Sequence, residues 1–190
     1  MFATKYNMIK KITIGLIAVF AFSFSAIAQE INWVTMDEAL ELQEKAPKKI
    51  FMDVYTSWCG PCKMLDKNTF QTEDVAAYIN EHYYAVKFNG EGNEDVTYKG
   101  ETFSNPNYDP SKANRRNSAH EFASFLRVRA YPTMMFFDEE GGVISPITGY
   151  LKPQQLELYL KLFESDKYKD MTSQEQFNEY ASAFTPTFKE

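Results

Sequence analysis

The sequence predicts an α/β protein with a mixed β-sheet. Through the first half of the chain, apolar runs rich in β-branched and aromatic residues alternate with amphipathic stretches, an order of elements that is typical of this class. A hairpin pattern and two further helical patterns complete the second half. With 44% hydrophobic and 16% aromatic residues, the 190-residue chain can bury a substantial core. The composition therefore excludes an intrinsically disordered protein.

The first 28 residues have the pattern of a signal peptide. A basic start ends at Lys10–Lys11, an uncharged apolar run covers residues 12–24, and residues 26–28 read Ala-Ile-Ala, the small-residue form of a cleavage site. A retained membrane anchor is the alternative, because the apolar stretch is at the short end of what spans a bilayer. We expect cleavage after Ala28 and export to the periplasm or the exterior, where disulfides persist.

The charge balance argues against a nucleic-acid partner. The formal net charge is −6. Residues 1–28 contain three basic and no acidic residues, so the remainder has 17 basic against 26 acidic residues, a balance of −9. Since nucleic-acid binding depends on basic surface that neutralises phosphates, we expect no nucleic acid among the partners.

The first mature elements are a strand, a helix and a second strand. Residues 31–34 form a short strand pattern, and residues 35–38 read Thr-Met-Asp-Glu, a capping box that opens a helix to about Ala46. Residues 50–55 are a compact apolar run with β-branched and aromatic members, which is typical of a buried strand.

A helix, another helix and a strand follow. Pro61 suits the first turn of a helix that runs through Leu65. The pattern predicts a second helix over 73–81 and a strand over 83–89.

Residues 90–117 change character, because they are polar and contain Gly, Asn and Pro throughout. They have no sustained period, so we expect a long insertion loop there. Residues 118–121 read Ser-Ala-His-Glu, a second capping box that opens a helix to about Leu126.

The end of the domain reads as a hairpin and a helix. Residues 134–137 and 143–147 are strand patterns joined by a turn, and residues 153–164 form an amphipathic helix. A further helix is predicted over 174–184. It lies in a C-terminal extension, residues 165–190.

The two cysteines of the chain, Cys59 and Cys62, lie where the buried strand ends and the next helix begins, with only Gly60 and Pro61 between them. Unpaired N–H groups and the helix dipole stabilise negative charge at a helix N-terminus, so Cys59 should be a thiolate more readily than a free cysteine. Cys62, one turn into the helix, should be more buried and less reactive.

The spacing of Cys59 and Cys62 is typical of a reversible dithiol, and two other interpretations compete with it. A zinc site needs four ligands, and the only other soft ligands, His82 and His120, are not at a short ligand spacing from each other or from the cysteines. A purely structural disulfide would close so small a loop that it would restrict the unfolded chain little. We expect no metal and no cofactor.

The segment FMDVYTSWCGPCK, residues 51–63, resembles the active-site segment of the thioredoxin family. YPTMMFFDEEGG, residues 131–142, followed by Thr-Gly-Tyr at 148–150, resembles the family's cis-proline strand, the next turn and the closing strand. The similarity covers about residues 48–89 and 122–164.

A finer likeness is to the periplasmic C-terminal thioredoxin-like domain of the membrane thiol:disulfide interchange reductase. It rests on Lys63, on Thr69-Phe70 and on Thr148-Gly149. These positions are less diagnostic than the cysteine segment.

The resemblance implies a thioredoxin-like fold, with a central mixed sheet flanked by helices. The insertion at 90–117 precedes the cis-proline strand, and an extra helix follows at the C-terminus. The chain is then a signal peptide (1–28), a thioredoxin-like domain (29–164) and a helical extension (165–190). We expect a monomer.

The family's chemical roles fall on three residues. The resemblance assigns Cys59 as the attacking sulfur, Cys62 as the resolving sulfur and Asp53 as the buried carboxylate behind them. A carboxylate on an apolar buried strand would be hard to ionise, and it could pass a proton to or from Cys62. Lys87, on the following strand, would modulate that carboxylate.

Further positions are expected to support substrate binding. Trp58 would shield the dithiol and offer an apolar contact. Pro132, if cis as in the family, would bring the backbone of Tyr131 beside Cys59 to pair with an extended substrate segment. Tyr131 departs from the small aliphatic residue that is common before the family proline.

The lysines and the central dipeptide bear on activity. For Lys63 and for Lys87, an ordinary surface charge is the alternative to a role in the site. Gly60-Pro61 is the dipeptide of the family's reducing members, and this dipeptide helps to set how far the thiolate is stabilised.

These features predict an exported reductase of protein disulfides that works through a mixed disulfide. An upstream thiol donor, expected to be embedded in the membrane, would recharge it. The alternatives are a net oxidase or isomerase, or a non-catalytic thioredoxin-fold adaptor that binds a partner through the insertion and the C-terminal helix.

Overall fold

A computed structural model describes residues 30–189 of the chain. The predicted signal peptide and its cleavage site lie outside the described residues. Within residues 30–189, no helix is long and apolar enough to cross a lipid bilayer.

Residues 30–189 form a central mixed sheet and a small separate hairpin. The strands are β1 (Trp33–Val34), β2 (Lys49–Tyr55), β3 (Tyr83–Asn89), β4 (Val96–Tyr98), β5 (Glu101–Phe103), β6 (Thr133–Phe137) and β7 (Val143–Thr148). The central sheet has the order β1-β3-β2-β6-β7. β3 is parallel to both β1 and β2, whereas β6 is antiparallel to β2 and β7 is antiparallel to β6. The predicted α/β class with a mixed sheet is confirmed.

The helices agree closely with the sequence patterns. They are α1 (Met36–Lys45), α2 (Gly60–Leu65), α3 (Glu73–His82), α4 (Glu121–Phe125), α5 (Pro153–Glu164) and α6 (Gln174–Ala183). A π-helical turn, Asp66–Phe70, continues α2, and 3-10 turns cover Pro110–Lys112 and Lys167–Asp170. The predicted capping box of α1 is present, with Thr35 Oγ1 accepting from Glu38 N–H at 3.2 Å and Glu38 Oε2 accepting from Thr35 N–H at 2.8 Å.

Strand β2 has a buried core on each side, which is why its sequence is almost continuously apolar. Ile50, Met52 and Val54 point to the face where α1 and α4 pack. Phe51 points to the opposite face, where α2 and α5 pack. Because side chains alternate along a strand, Asp53 lies on the same face as Phe51, beneath α2.

The insertion corrects one prediction. Residues 90–117 are not a loop without regular structure, because β4 and β5 pair as an antiparallel hairpin. Val96, Tyr98 and Phe103 are buried in the core on the α4 side of the sheet, and the Tyr98 hydroxyl donates to Gly141 O at 2.5 Å. Periodicity did not reveal the hairpin because each strand has only three residues, fewer than an alternating pattern needs to be recognised.

The start of α4 corrects the prediction of a capping box at residues 118–121. The helix begins at Glu121, and its N-cap is His120, whose Nδ1 accepts from Phe122 N–H at 3.0 Å. Ser118 is not the cap and instead pairs with Asn105, because its hydroxyl donates to Asn105 Oδ1 at 2.7 Å and its carbonyl accepts from the Asn105 amide.

The C-terminal extension folds back on the domain. Phe177 of α6 stacks on Tyr159 of α5 with ring centroids 6.0 Å apart. Beyond α6, the buried carboxylate of Glu157 accepts from the backbone N–H groups of Thr187 and Phe188 at 2.7 and 2.8 Å. The last described residues are therefore tied to α5.

Candidate active site

The dithiol lies at the junction of β2 and α2, as predicted, and Cys59 and Cys62 are joined in a disulfide. Cys59 is the N-cap of α2, and its Sγ accepts from Cys62 N–H at 3.1 Å. Gly60 and Pro61 are the first two residues of the helix. In this form Cys59 is 3% and Cys62 is 5% exposed. The expectation that Cys62 is the more buried of the two is therefore wrong, and only their positions on the helix distinguish them.

Asp53 is a buried carboxylate behind the disulfide, with an exposed fraction of 1%. It lies on β2 directly opposite Lys87 of β3, and the Lys87 ammonium is 3.0 Å from its Oδ2. Burial raises the pKa of Asp53 to about 6, although the nearby Lys87 charge opposes the rise. The carboxylate is thus poised to exchange a proton near neutral pH.

Lys87 joins Asp53 to a second carboxylate. Its ammonium is 2.5 Å from Asp66 Oδ1, and it also lies over the rings of Trp33, Tyr55 and Phe70 at 4.7, 5.3 and 5.4 Å from their centroids. Burial lowers the pKa of Lys87, but the two carboxylates together outweigh burial and the pKa is raised overall. Lys87 therefore remains charged beside Asp53.

A cavity of about 240 Å³ connects these groups. It is lined by Asp53, Tyr55, Thr56, Ser57, Cys62, Lys63, Asp66 and Lys87. Two buried atoms at its wall, Asp53 Oδ1 and Thr56 Oγ1, have no hydrogen-bond partner among residues 30–189. A cavity of this size that is lined by residues with unpaired buried polar atoms is suited to ordered water, which would connect Asp53 to Cys62.

Trp58 is half-buried beside the cysteines and is held from three sides. Its Nε1–H donates to Glu91 Oε2 at 2.7 Å. The ring of Tyr131 meets it edge to face at 6.3 Å, and the guanidinium of Arg116 lies 4.9 Å from its centroid. Glu91 and Arg116 both belong to the insertion, so the insertion forms part of the surface around the dithiol.

The segment before β6 has backbone groups that are available for pairing. The Tyr131–Pro132 peptide bond is cis. The carbonyl of Pro132 accepts from Gly149 N–H at 2.9 Å, whereas the N–H and C=O of Tyr131 have no backbone partner within residues 30–189. The Tyr131 ring leans on Gly90, where a Cβ atom would stand only 2.7 Å from the phenol.

The structure thus brings Cys62, Asp53, Lys87 and Lys63 to one cavity. Cys59 is bonded to Cys62, and Trp58, the residue before Cys59, contacts Tyr131. A groove of about 740 Å³ between α1 and the β4–β5 hairpin is larger, but neither cysteine lines it. We take the dithiol cavity as the site because it holds the reactive groups.

Sequence reasoning missed Asp66 and Glu91. Asp66 is four residues after Cys62 and therefore lies on the same side of the helix, a signal that was readable. Glu91 follows the carboxyl end of β3, and parallel strands bring their carboxyl ends to one edge of the sheet. Because β2 ends beside Trp58, an acidic residue just after β3 could have been placed near it once the pairing was known.

The chain is similar to known proteins. The family model described as a thioredoxin-like domain matches residues 36–164. The thiol:disulfide interchange protein DsbD of Pectobacterium atrosepticum is 27% identical over 145 residues, which are 75% of this chain and 20% of that protein. The chain therefore spans about a fifth of the length of the curated relatives it matches.

Solved structures show the same architecture. A thioredoxin-fold protein from Helicobacter pylori matches with a TM-score of 0.58 at 18% identity, covering 84% of this chain and 92% of that one. A thioredoxin from Thermus thermophilus matches with a TM-score of 0.52 at 14% identity, covering 70% and 87%. The predicted thioredoxin-like fold is confirmed.

Proposed function

Because the chain belongs to the thioredoxin-like domain family, we propose that it is an exported thiol:disulfide oxidoreductase that reduces protein disulfides through Cys59 and Cys62. The observation that carries this proposal is the pairing of a helix-capping disulfide with a buried carboxylate. Cys62 and Asp53 line one cavity, so a proton can move between them while the disulfide opens or closes.

Attack on the substrate begins at Cys59. In the reduced protein its sulfur would remain at the N-cap, where the Cys62 N–H points at it in the disulfide form at 3.1 Å. This N–H and the helix dipole favour the thiolate. The Cys59 thiolate attacks one sulfur of a substrate disulfide, forms a Cys59–substrate disulfide and releases the other substrate sulfur as a thiolate, which takes up a proton.

Release of the substrate needs a second thiolate. Asp53, with its pKa near 6, takes the proton of the Cys62 thiol through ordered water in the shared cavity. The Cys62 thiolate then attacks Cys59 Sγ, closes the Cys59–Cys62 disulfide and releases the second substrate thiolate. Two electrons have passed to the substrate, and a dithiol donor must return two to the protein.

The substrate segment would pair beside the disulfide. The free N–H and C=O of Tyr131 offer a backbone partner for an extended chain, and Trp58 offers apolar contact. Gly60-Pro61 between the cysteines favours the reducing direction, since it is the dipeptide of the family's reducing members. Export rests on the signal-peptide pattern of residues 1–28, and it is in keeping with the likeness to a thiol:disulfide interchange protein.

A non-catalytic adaptor is the rival function. The insertion does face outward beside Trp58, as an adaptor would require. An adaptor, however, has no need for a buried carboxylate with a raised pKa that shares a cavity with Cys62.

Trapping of mixed disulfides tests the proposal. Cys62→Ser should accumulate disulfides between Cys59 and its partners in the native compartment, seen as bands that collapse on reduction. Cys59→Ser should accumulate few, because its remaining thiol, Cys62, is not at the N-cap of α2 and lacks the stabilisation of the thiolate there. The double variant supplies the background. Equal trapping by both single variants would contradict the assignment of Cys59 as the attacking and Cys62 as the resolving sulfur. Partner binding without trapping would favour the adaptor.

A further inference from the structure

Arginine occurs only within residues 115–129, in two segments that precede or contact the ring pair of Trp58 and Tyr131. The chain contains four arginines, Arg115, Arg116, Arg127 and Arg129, and 16 lysines spread along its length. Two of the arginines are in the insertion segment that contacts Trp58, and two are in the segment that leads from α4 to Tyr131. All four are exposed. We refer to this set as the arginine rim.

The insertion holds its two arginines in place beside the cysteines. Ser57 donates to Ala113 O at 2.5 Å. Glu91 accepts from Trp58 Nε1 and from Asn117 N–H, each at 2.7 Å, and so ties the end of the segment to the tryptophan. Between these two attachments, the guanidinium of Arg116 lies 4.9 Å from the centroid of the Trp58 ring.

The charges of the arginine rim are not used within the domain. Among residues 30–189, no carboxylate forms an ion pair with any of its four members, whereas Lys49, Lys87 and Lys161 are each paired. Glu91, whose carboxylate bonds to the same Trp58 that Arg116 covers, is directed to Trp58 and Asn117 instead. A guanidinium that stacks on an aromatic ring keeps its N–H edge free for a carboxylate.

We propose that the arginine rim docks acidic segments of protein substrates, so that carboxylates flanking the target disulfide guide it to Cys59. The inference rests on the proposed reductase function and adds the class of substrate. The overall charge is compatible with this selectivity, because residues 29–190 have a formal balance of −9 and a net-acidic protein attracts an acidic segment only through local basic groups. Such steering raises the rate of encounter and fixes the orientation of the bound chain.

The test compares two disulfide peptides of equal length. In one, aspartates flank the cysteines, and in the other, asparagines replace them. Pre-reduced protein, freed of reductant, is mixed with each peptide, and the second-order rate constant of reduction is followed by tryptophan fluorescence. We expect the aspartate peptide to react about tenfold faster at low ionic strength. In about 0.5 M NaCl, where screening shortens the reach of exposed charges to a few ångströms, the ratio should fall close to one.

Variants locate the effect on the surface. Arg116→Gln and Arg129→Gln should each lower the ratio of the two rate constants by about two- to threefold, in the range of one exposed ion pair. Arg116→Lys, which keeps the charge, should lower it less. Lys45→Gln removes the same charge from the far end of α1, where it is exposed, and it should keep the wild-type ratio.

The outcomes separate the two proposals. Equal rate constants for both peptides, or a ratio that the arginine variants and Lys45→Gln change alike, would overturn the docking surface and leave the reductase standing. A reduced wild-type protein that leaves both peptides oxidised would contradict the reductase and the docking surface together. An aspartate preference that disappears with salt and with the loss of Arg116 or Arg129 would support the inference.

Discussion

The ammonium of Lys87 is 3.0 Å from Oδ2 of Asp53, while Oδ1 of the same carboxylate has no hydrogen-bond partner within residues 30–189. Only one of the two carboxylate oxygens of Asp53 therefore has a partner in this part of the chain. That partner is charged, and Asp53 lines the same cavity as Cys62. This arrangement leaves Asp53 with a pKa of about 6, and three of the predictions below depend on it.

Asp53→Asn should stabilise the disulfide form at neutral pH. In the folded protein the pKa of Asp53 is raised from 3.8 to about 6. As far as Asp53 is concerned, the folded protein therefore has its full stability below about pH 4, where Asp53 is protonated in both states. This stability is lost as the pH rises through 6, where the buried carboxyl must ionise. A difference of about two pKa units corresponds to about 3 kcal/mol. Urea unfolding at pH 3.5 and 7 should show the advantage of the variant growing by about this amount, while Asp170→Asn, an exposed control, shows no such growth.

The same variant should slow release of the substrate. In the wild type, the rate of release from the Cys59 mixed disulfide should rise as Asp53 ionises near pH 6. Asn cannot accept the proton, so at pH 7 release should be about 100-fold slower. Rapid-mixing kinetics with a preformed mixed disulfide measure this step alone. A rate that is the same in both proteins at every pH would remove Asp53 from the mechanism.

Asp66→Asn should move the pH dependence of that step downward. Asp66 shares the Lys87 ammonium at 2.5 Å, and its negative charge helps to raise the pKa of Asp53. Without it, Lys87 pairs with Asp53 alone and favours the ionised form. The midpoint of the release rate should fall below the wild-type midpoint, so that the variant is faster near pH 5. Asp170→Asn should leave the midpoint in place, and an unmoved midpoint in Asp66→Asn would contradict the coupling.

Glu157→Gln should loosen the C-terminal tail. The Glu157 carboxylate accepts from Lys161, from the N–H and hydroxyl of Thr187, and from Phe188 N–H. Burial acts to raise the pKa of Glu157, but these hydrogen bonds outweigh it and the pKa is lowered. Its stabilisation is therefore present above pH 4.5, the ordinary value, and is lost in acid.

At pH 7 we expect the free energy of unfolding of Glu157→Gln to be about 2 kcal/mol lower than that of the wild type, in the range for hydrogen bonds to a charged group. The amides of Thr187 and Phe188 should exchange faster with solvent. Glu175→Gln on the exposed face of α6 is the matched control. Equal stability of Glu157→Gln and wild type at pH 7 would show that the tail is not held by this carboxylate.

Phe103→Ala should destabilise the whole domain. Phe103 is 7% exposed and contacts the rings of Phe122 and Phe125 with centroids 5.4 and 5.0 Å away. Removing a buried phenylalanine costs about 3 kcal/mol. Phe125 belongs to the same cluster but is 50% exposed, so Phe125→Ala should cost about 1 kcal/mol or less. Chemical denaturation of both variants decides whether the insertion is part of the core, since an isolated loop would make Phe103→Ala neutral.

Much of the site was readable from the sequence because its parts are close in the chain. Asp53, Trp58 and both cysteines fall within ten residues, and a single strand-to-helix junction positions them. Lys87 required one long-range step, the parallel pairing of β2 with β3 that sets it opposite Asp53. That step could be proposed because both strands are strongly apolar and their patterns are clear.

The contacts of the insertion could not be predicted in the same way. Glu91 and Arg116 reach Trp58 from a polar segment whose conformation is set by side-chain hydrogen bonds rather than by a periodic apolar face. Asn105 shows the same difficulty, because its bonds to Gly92 and Ser118 displaced the predicted N-cap of α4 to His120. Local patterns do not reveal which of several equivalent polar partners are used.

The confinement of arginine to residues 115–129 also makes this chain suited to selective chemical labelling. A dicarbonyl reagent that modifies guanidinium groups can react only within residues 115–129, because no arginine occurs elsewhere in the chain. Lysine reagents would instead modify positions over the whole surface. Peptide mapping of the modified arginines with and without a trapped substrate would therefore show directly which of the four positions that substrate covers.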